Sequence, residues 1–347
     1  MKNFKNRFLP IITISLGLFT VGCSNDDDLT EPEVPLTETN LLGQLEQNRT
    51  LDATETYFLK GVFSVEPGTT LTIPAGTKIV ADTDNDDNPA TNVYIVVQKG
   101  GKINIQGTAS APVVMSSSSG EAGSWGGLVI AGNGVSTEGV DATAEVGGII
   151  YGGTNTADNS GSIKYLILSD AGAQINAESQ YNGLSLYAVG SGTTIENVAI
   201  LNGADDGVEF FGGSVSVTNI YLENNEDDAV DWTEGWNGTI TNTYVSHTIE
   251  NFSTAIEADG ANGNPTVKNF TAVSTTGGTA LQFKKQSGAT ITGLSLSGYD
   301  TNIDITEAGR IDLSGIKIGG EAAKLDAAYD AAATVDVATF SWVEENL

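Results

Sequence analysis

Ile195-Glu196-Asn197-Val198-Ala199-Ile200 states a rule on which the whole fold turns: apolar, any residue, Asn or Gly, apolar, any residue, apolar. The rule recurs at Val217-Thr218-Asn219-Ile220-Tyr221-Leu222, around Asn242 (with Thr243 in the second apolar slot), around Asn269, around Gly293, and at residues 313–318 around Gly315. Strict strand alternation fails at the Asn or Gly. Val217, Ile220 and Leu222 can face one interior only if the chain turns a corner between them. Such a corner needs a left-handed residue, and Gly and Asn enter that conformation at least cost. Successive corners lie roughly 22 to 27 residues apart, a period at which each unit buries its apolar face by stacking on its neighbours. The expected fold is therefore all-β, a parallel β-helix, with right-handed connections as in nearly all parallel crossovers.

A second column sets the register. Ahead of each corner lies an apolar, polar, apolar triplet: Leu184-Ser185-Leu186, Val208-Glu209-Phe210, Val230-Asp231-Trp232, Ile256-Glu257-Ala258, Leu281-Gln282-Phe283 and Ile303-Asp304-Ile305. Alternation turns the flanks inward and the middle residues outward, so that these stack about 4.8 Å apart. Three adjacent rungs, Glu209, Asp231 and Glu257, are acidic. Two residues on, Tyr187, Phe211, Thr233, Asp259, Lys284 and Thr306 form a further outer column. Upstream, the pairs Asp205-Asp206 and Asp227-Asp228 lie one coil apart.

Residues 41–320 read as this solenoid. Its earlier coils are looser, with strands expected at 59–65, 70–73, 77–80, 93–97, 102–105 and 112–115, separated by Pro-Gly, Ala-Gly and Gly-Gly turns. An acidic loop at residues 82–88 lacks the Gly and distal Glu of a calcium-binding EF-hand and reads as a solvated loop able to hold a cation loosely. Residues 131–161 form an excursion. Past residue 320 the composition changes; residues 321–332, Ala-rich with Leu325 and Tyr329 four apart, predict a short helix in a cap spanning 321–347.

The chain of 347 residues carries 15 basic and 44 acidic side chains, a formal charge of −29. Such a charge repels nucleic acid and favours cations. Lys2, Lys5 and Arg7 precede an apolar run too short to span a bilayer stably, so residues 1–22 read as an export leader. Cys23 is the single cysteine, which excludes a disulfide framework. Residues 23–40, polar, acidic and Pro-containing, read as a flexible tether.

These stretches carry three resemblances. Val21-Gly22-Cys23 resembles a bacterial lipoprotein processing site, which implies acylation of Cys23 and attachment to outer-membrane lipid. The run Ser24-Asn25-Asp26-Asp27-Asp28 resembles the signal that sends Bacteroidota lipoproteins to the outer face of the outer membrane, implying exposure to the cell exterior. The Asn corners resemble the asparagine ladder of pectate lyase and pectin lyase-like β-helices, and residues 124–133, 205–213 and 227–235 are similar to Bacteroidota β-helix lipoproteins. In the lyase-like superfamily, substrate and calcium bind outside the strand that precedes the corner, which here is the acidic column.

Stacked carboxylates repel unless a cation or proton intervenes, and oxygen-only clusters suit calcium. Glu209, Asp227, Asp228, Asp231 and Glu257 are the candidate metal ligands; the alternative for the Asp pairs is turn capping through backbone amides. Three function classes are open. A surface binding module for polysaccharide would use Trp236, expected exposed in its turn, with Phe211 and Tyr187. A lyase or glycoside hydrolase would draw on Asp205, Asp206, Asp227, Asp228 and Lys284. The third class is an accessory of an outer-membrane transporter. His247, the sole histidine, reads as an ordinary surface residue.

Overall fold

The computed structural model describes residues 39–83, 93–177, 179–260, 264–307 and 312–347. The leader, Cys23, most of the tether and most of the acidic 82–88 loop lie outside these residues. Among them, 23 strands from Asn40–Leu45 to Glu321–Ala322 join one sheet that winds around itself. Coil-to-coil pairing is parallel until Ile316–Ile318 turns back antiparallel on Glu321–Ala322 and ends the stack.

The corner strands are Gly161–Ser169, Thr194–Leu201, Ser216–Glu223, Thr239–His247, Thr266–Ser274 and Ala289–Ser297. Each pairs with the next in the register that aligns the Asn positions: Val198 faces Ile220, Ile220 faces Thr243, Thr243 faces Phe270 and Phe270 faces Leu294. Asn197, Asn219, Asn242 and Asn269 adopt φ of 57°, 58°, 58° and 54°, with Gly293 at 68°. Their side chains form a ladder in which each Nδ2 donates to the preceding Oδ1: Asn219 to Asn197, Asn242 to Asn219 and Asn269 to Asn242, all at 2.9 Å. The amide that tolerates the left-handed corner thus also ties neighbouring corners together. Tyr165, opposite Asn197, takes the same conformation (φ 49°) without an amide to extend the ladder.

The last corner falls elsewhere than expected. Ala289 pairs with Ile316 and Ile291 with Ile318, so the glycines Gly319 and Gly320 (φ 63° and 89°) occupy the corner instead of Gly315. Apolar-x-Gly occurs twice within these few residues, and strand pairing selects the second. The C-terminal tail differs too. Residues 321–332 contain no helix; the short helix near the end of the chain is Ser341–Glu344, preceded by a 3₁₀ turn at Val337–Phe340. Ala323 and Tyr329 close the last coil, while Val335, Phe340, Trp342 and Val343 pack sideways on Ile167, Ala199, Tyr221 and Tyr244.

The lumen holds one long apolar core that includes Phe210, Trp232, Trp236, Phe270 and Phe283. Thr243 stands in this core fully buried, and its Oγ1 has no hydrogen-bond partner among the described residues. Two adjacent substitutions therefore have opposite effects. Asn242→Val removes the middle rung of the ladder and forces a β-branched residue to positive φ, costing about 1 to 3 kcal/mol. Thr243→Val replaces an unpaired hydroxyl by a methyl group and is expected to stabilise, by roughly 1 kcal/mol. Thermal melts of the two variants check the register; a lower midpoint for Thr243→Val would contradict it.

Candidate functional site

The strands ahead of the corners, Leu184–Tyr187, Val208–Phe211, Val230–Thr233, Thr254–Ala258, Thr279–Phe283 and Thr301–Ile305, pair so that Ser185, Glu209, Asp231, Glu257, Gln282 and Asp304 fall in one row. The row faces outward, as alternation requires, but it is not open surface. Glu209, Asp231 and Glu257 are only 8–9% exposed, because the turns before these strands and the 131–161 excursion wall them in. The result is a cavity of about 330 Å³ lined by both Asp pairs, the three rungs, Glu145 and Lys284.

The Asp pairs divide their labour. Asp206 and Asp228, in the buried half of each pair, are wired into the scaffold: Asp206 Oδ1 accepts from the Asp228 amide at 2.9 Å, and Asp228 Oδ1 accepts from Thr254 Oγ1 at 2.5 Å. Asp206 thus caps a backbone amide, one on the next coil, whereas Asp228 bonds a side-chain hydroxyl. Asp205 is half-buried and Asp227 exposed, and both face the cavity. Oxygens of Asp205, Asp206 and Asp227 lie within 4.8 Å of one another, as do those of Asp206, Glu209 and Asp231, so Asp206 bridges two groups. Asp231 Oδ1 is buried without a hydrogen-bond partner among the described residues.

Burial, reinforced by the neighbouring carboxylates, pushes Asp206, Glu209, Asp228 and Asp231 well above the usual carboxylate range. The same causes, burial and then the charge of Asp227, lift Asp205 to about 8. Among the described residues Lys284 is the one cation lining the cavity, and its Nζ donates to Glu257 Oε1 at 2.5 Å. Burial opposes its charge, yet the bond to Glu257 outweighs burial and raises the Lys284 pKa. Glu257 is thereby committed to an ion pair, and Lys284 is a protonated partner rather than a free base.

A family model described as a pectate-lyase-like beta helix domain matches residues 43–338. The chain belongs to this family. No relative emerges from a comparison with curated proteins. Within this pectate-lyase-like β-helix, several residues singled out from the sequence have other places. Trp236 is fully buried: its ring stacks on Phe210 at 4.1 Å and its Nε1 donates to Val215 O at 3.0 Å, so it fills the lumen and offers no exposed platform. A turn sequence hid this, since Gly235 at φ 79° lets the next residue swing inward. Tyr187 and Phe211 stack on each other at 4.0 Å and are 1% and 5% exposed, buried beneath the excursion. His247 is also buried, stacked at 3.8 Å on Phe252 and within 3.0 Å of Tyr299 Oη; burial pushes its imidazole down to about 4.

Three participants carry no periodic sequence signal. Asn182 donates to Glu209 Oε2 at 2.7 Å. Glu145 and Tyr151 come from the excursion, whose hairpin of Ala142–Thr143 and Ile150–Tyr151 lies outside the repeat.

The raised carboxylates fix a pH dependence. Between 3.8 and about 8 the folded Asp205 keeps a proton that the unfolded chain has lost, so folding binds protons and stability falls as pH rises through this window. In chelator, the melting temperature is expected to decline from pH 5 to pH 8, and Asp205→Asn to make the decline shallower. A wild-type midpoint that climbs over this range would contradict the arrangement.

Proposed function

We propose that this β-helix is an exported, lipid-anchored binding module whose acidic cavity holds calcium and, through it, an anionic polysaccharide. The carrying observation is the pair of oxygen clusters joined at Asp206, with Asp231 Oδ1 left unpartnered beside them. Asp205, Asp206, Asp227, Glu209 and Asp231 fit a hard cation with six to eight oxygen ligands, and such an ion would replace the protons the cluster otherwise needs. Asp228 and Glu257 serve as support, through Thr254 and Lys284. The pectate-lyase-like description of the family supports a sugar polymer as the partner. With Trp236 in the core, calcium and the cavity rim are left to hold it. Acylation of Cys23, exposure on the outer membrane and delivery to a transporter complete the reading, on the strength of the leader and the acidic tether.

A hydrolytic reading draws on Asp205, protonated up to about 8 beside Asp227, but oxygens of the two lie within 4.8 Å of one another, closer than the roughly 5 to 9.5 Å at which glycoside cleavage sets its acid and carboxylate. A lyase reading has less support, since Lys284 is occupied by Glu257.

Calcium at a hundredfold excess over its Kd is expected to stabilise the fold by about 2.7 kcal/mol, and magnesium by less, because a row of strand carboxylates does not supply its tight octahedron. Asp227→Asn combined with Asp231→Asn should abolish the response and raise the midpoint in chelator. A melt indifferent to calcium and to chelator would remove the metal site. Incubation with anionic polysaccharide, read for both binding and new chain ends, separates module from enzyme. For the anchor, Cys23→Ser should move the protein from the membrane to the soluble fraction; unchanged membrane association would refute acylation there.

A further inference from the structure

Beside the calcium cavity lies a second and larger one of about 510 Å³, roofed by the excursion hairpin. Its lining includes six carboxylates, Glu138, Glu145, Glu209, Asp231, Glu234 and Asp259, set around the stacked rings of Tyr187 and Phe211. Tyr151, whose ring lies 5.0 Å from that of Tyr187, donates its hydroxyl to both Glu234 oxygens at 2.7 and 2.8 Å, and Ser136 Oγ donates to Glu234 Oε2 at 2.6 Å. Glu234 is thus held in place before any ligand arrives.

Two features specify the occupant. The Tyr187 hydroxyl is buried in this wall and has no hydrogen-bond partner among the described residues, an arrangement that costs free energy unless a ligand supplies the partner. The wall also offers acceptors almost alone. Lys284 and Lys285, the nearest basic residues in the same column and turn, are paired with Glu257 and Asp259. A metal ion does not meet this geometry. Glu138, Glu145, Glu234 and Asp259 belong to neither of the oxygen groups close enough to share one ion. A ligand with several N–H donors, a positive charge and no need of a cationic partner does meet it.

We propose that this cavity binds an organic ammonium ion, a primary amine carried on a frame the size of an amino sugar or an alkyl polyamine. The volume is within the range of small-molecule sites and exceeds what a bare cation fills. The site adjoins the acidic cavity proposed for calcium and shares Glu145, Glu209 and Asp231 with it, while Glu138, Glu234, Asp259 and the Tyr187 hydroxyl belong to this cavity alone.

The test is calorimetric titration of the intact protein with spermidine, with the free-amine glucosamine trimer, and with the N-acetylated trimer. It is run at about 0.15 M salt to screen nonspecific attraction to the acidic surface. Each titration is done in calcium and again in chelator. One saturable site for at least one amine is expected, with the N-acetylated trimer inert; which amine binds identifies the carrier. Tyr187→Phe, which deletes only the orphan hydroxyl, should weaken amine binding roughly tenfold while leaving the ligand-free melting temperature unchanged or higher. The inference fails if neither amine saturates, if the N-acetylated trimer binds as tightly as the free amine, or if Tyr187→Phe binds like wild type. Because amine binding and the calcium-induced thermal shift are read separately, loss of one leaves the other standing.

Discussion

Parallel pairing between coils is the constraint from which the rest of the molecule follows. Once Val217 lies beside Ile240 and Glu209 beside Asp231, every residue type that recurs with the repeat is forced into a column at strand spacing. For apolar residues and for amides, that enforced repetition is favourable: it gives a continuous core and the ladder from Asn197 to Asn269. For carboxylates it is unfavourable, since strand geometry sets the separation of like charges and leaves them no room to relax. The same pairing that stabilises the lumen therefore concentrates electrostatic strain on one outer strip.

The strip is where sequence and structure part company. The corner residues, the inward triplets and the acidic rungs were legible because each obeys a period, and periodicity survives folding unchanged. Solvent exposure does not obey a period. Glu209 and Asp231 alternate outward as expected, yet they are buried by Glu145 and Tyr151, which belong to a stretch with no counterpart in other coils. Trp236 reads as a surface residue by its Glu-Gly-Trp-Asn-Gly setting, and it is core because a left-handed Gly235 redirects the chain. His247 illustrates the same limit: it ends a corner strand, and Phe252 and Tyr299 from other segments close over it.

Within the Asp pairs, neighbours in sequence have different physical roles. Asp206 and Asp228 carry scaffold bonds, Asp206 while also joining the two oxygen groups, and Asp205 and Asp227 face the cavity. Within each pair the second acid is bonded into the wall, and the first lies more exposed at the cavity that the wall encloses. Two successive coils repeating this arrangement produce a cavity without any residue departing from the repeat.

The tail that lies along the outside has a mechanical meaning. A stack of coils is a one-dimensional chain of nearest-neighbour contacts, free in principle to fray from either end. Ser295 and Thr271, then Tyr221, then Tyr165, and finally the Ala109 carbonyl are touched in turn by the segment from Ala331 to Asn346. This segment runs against the direction of winding and binds coils far apart in the stack to one another. It acts as a lateral tie rod: loss of the last coil strips a support from coils laid down some two hundred residues earlier in the chain, so fraying at that end also costs contacts along the side of the stack.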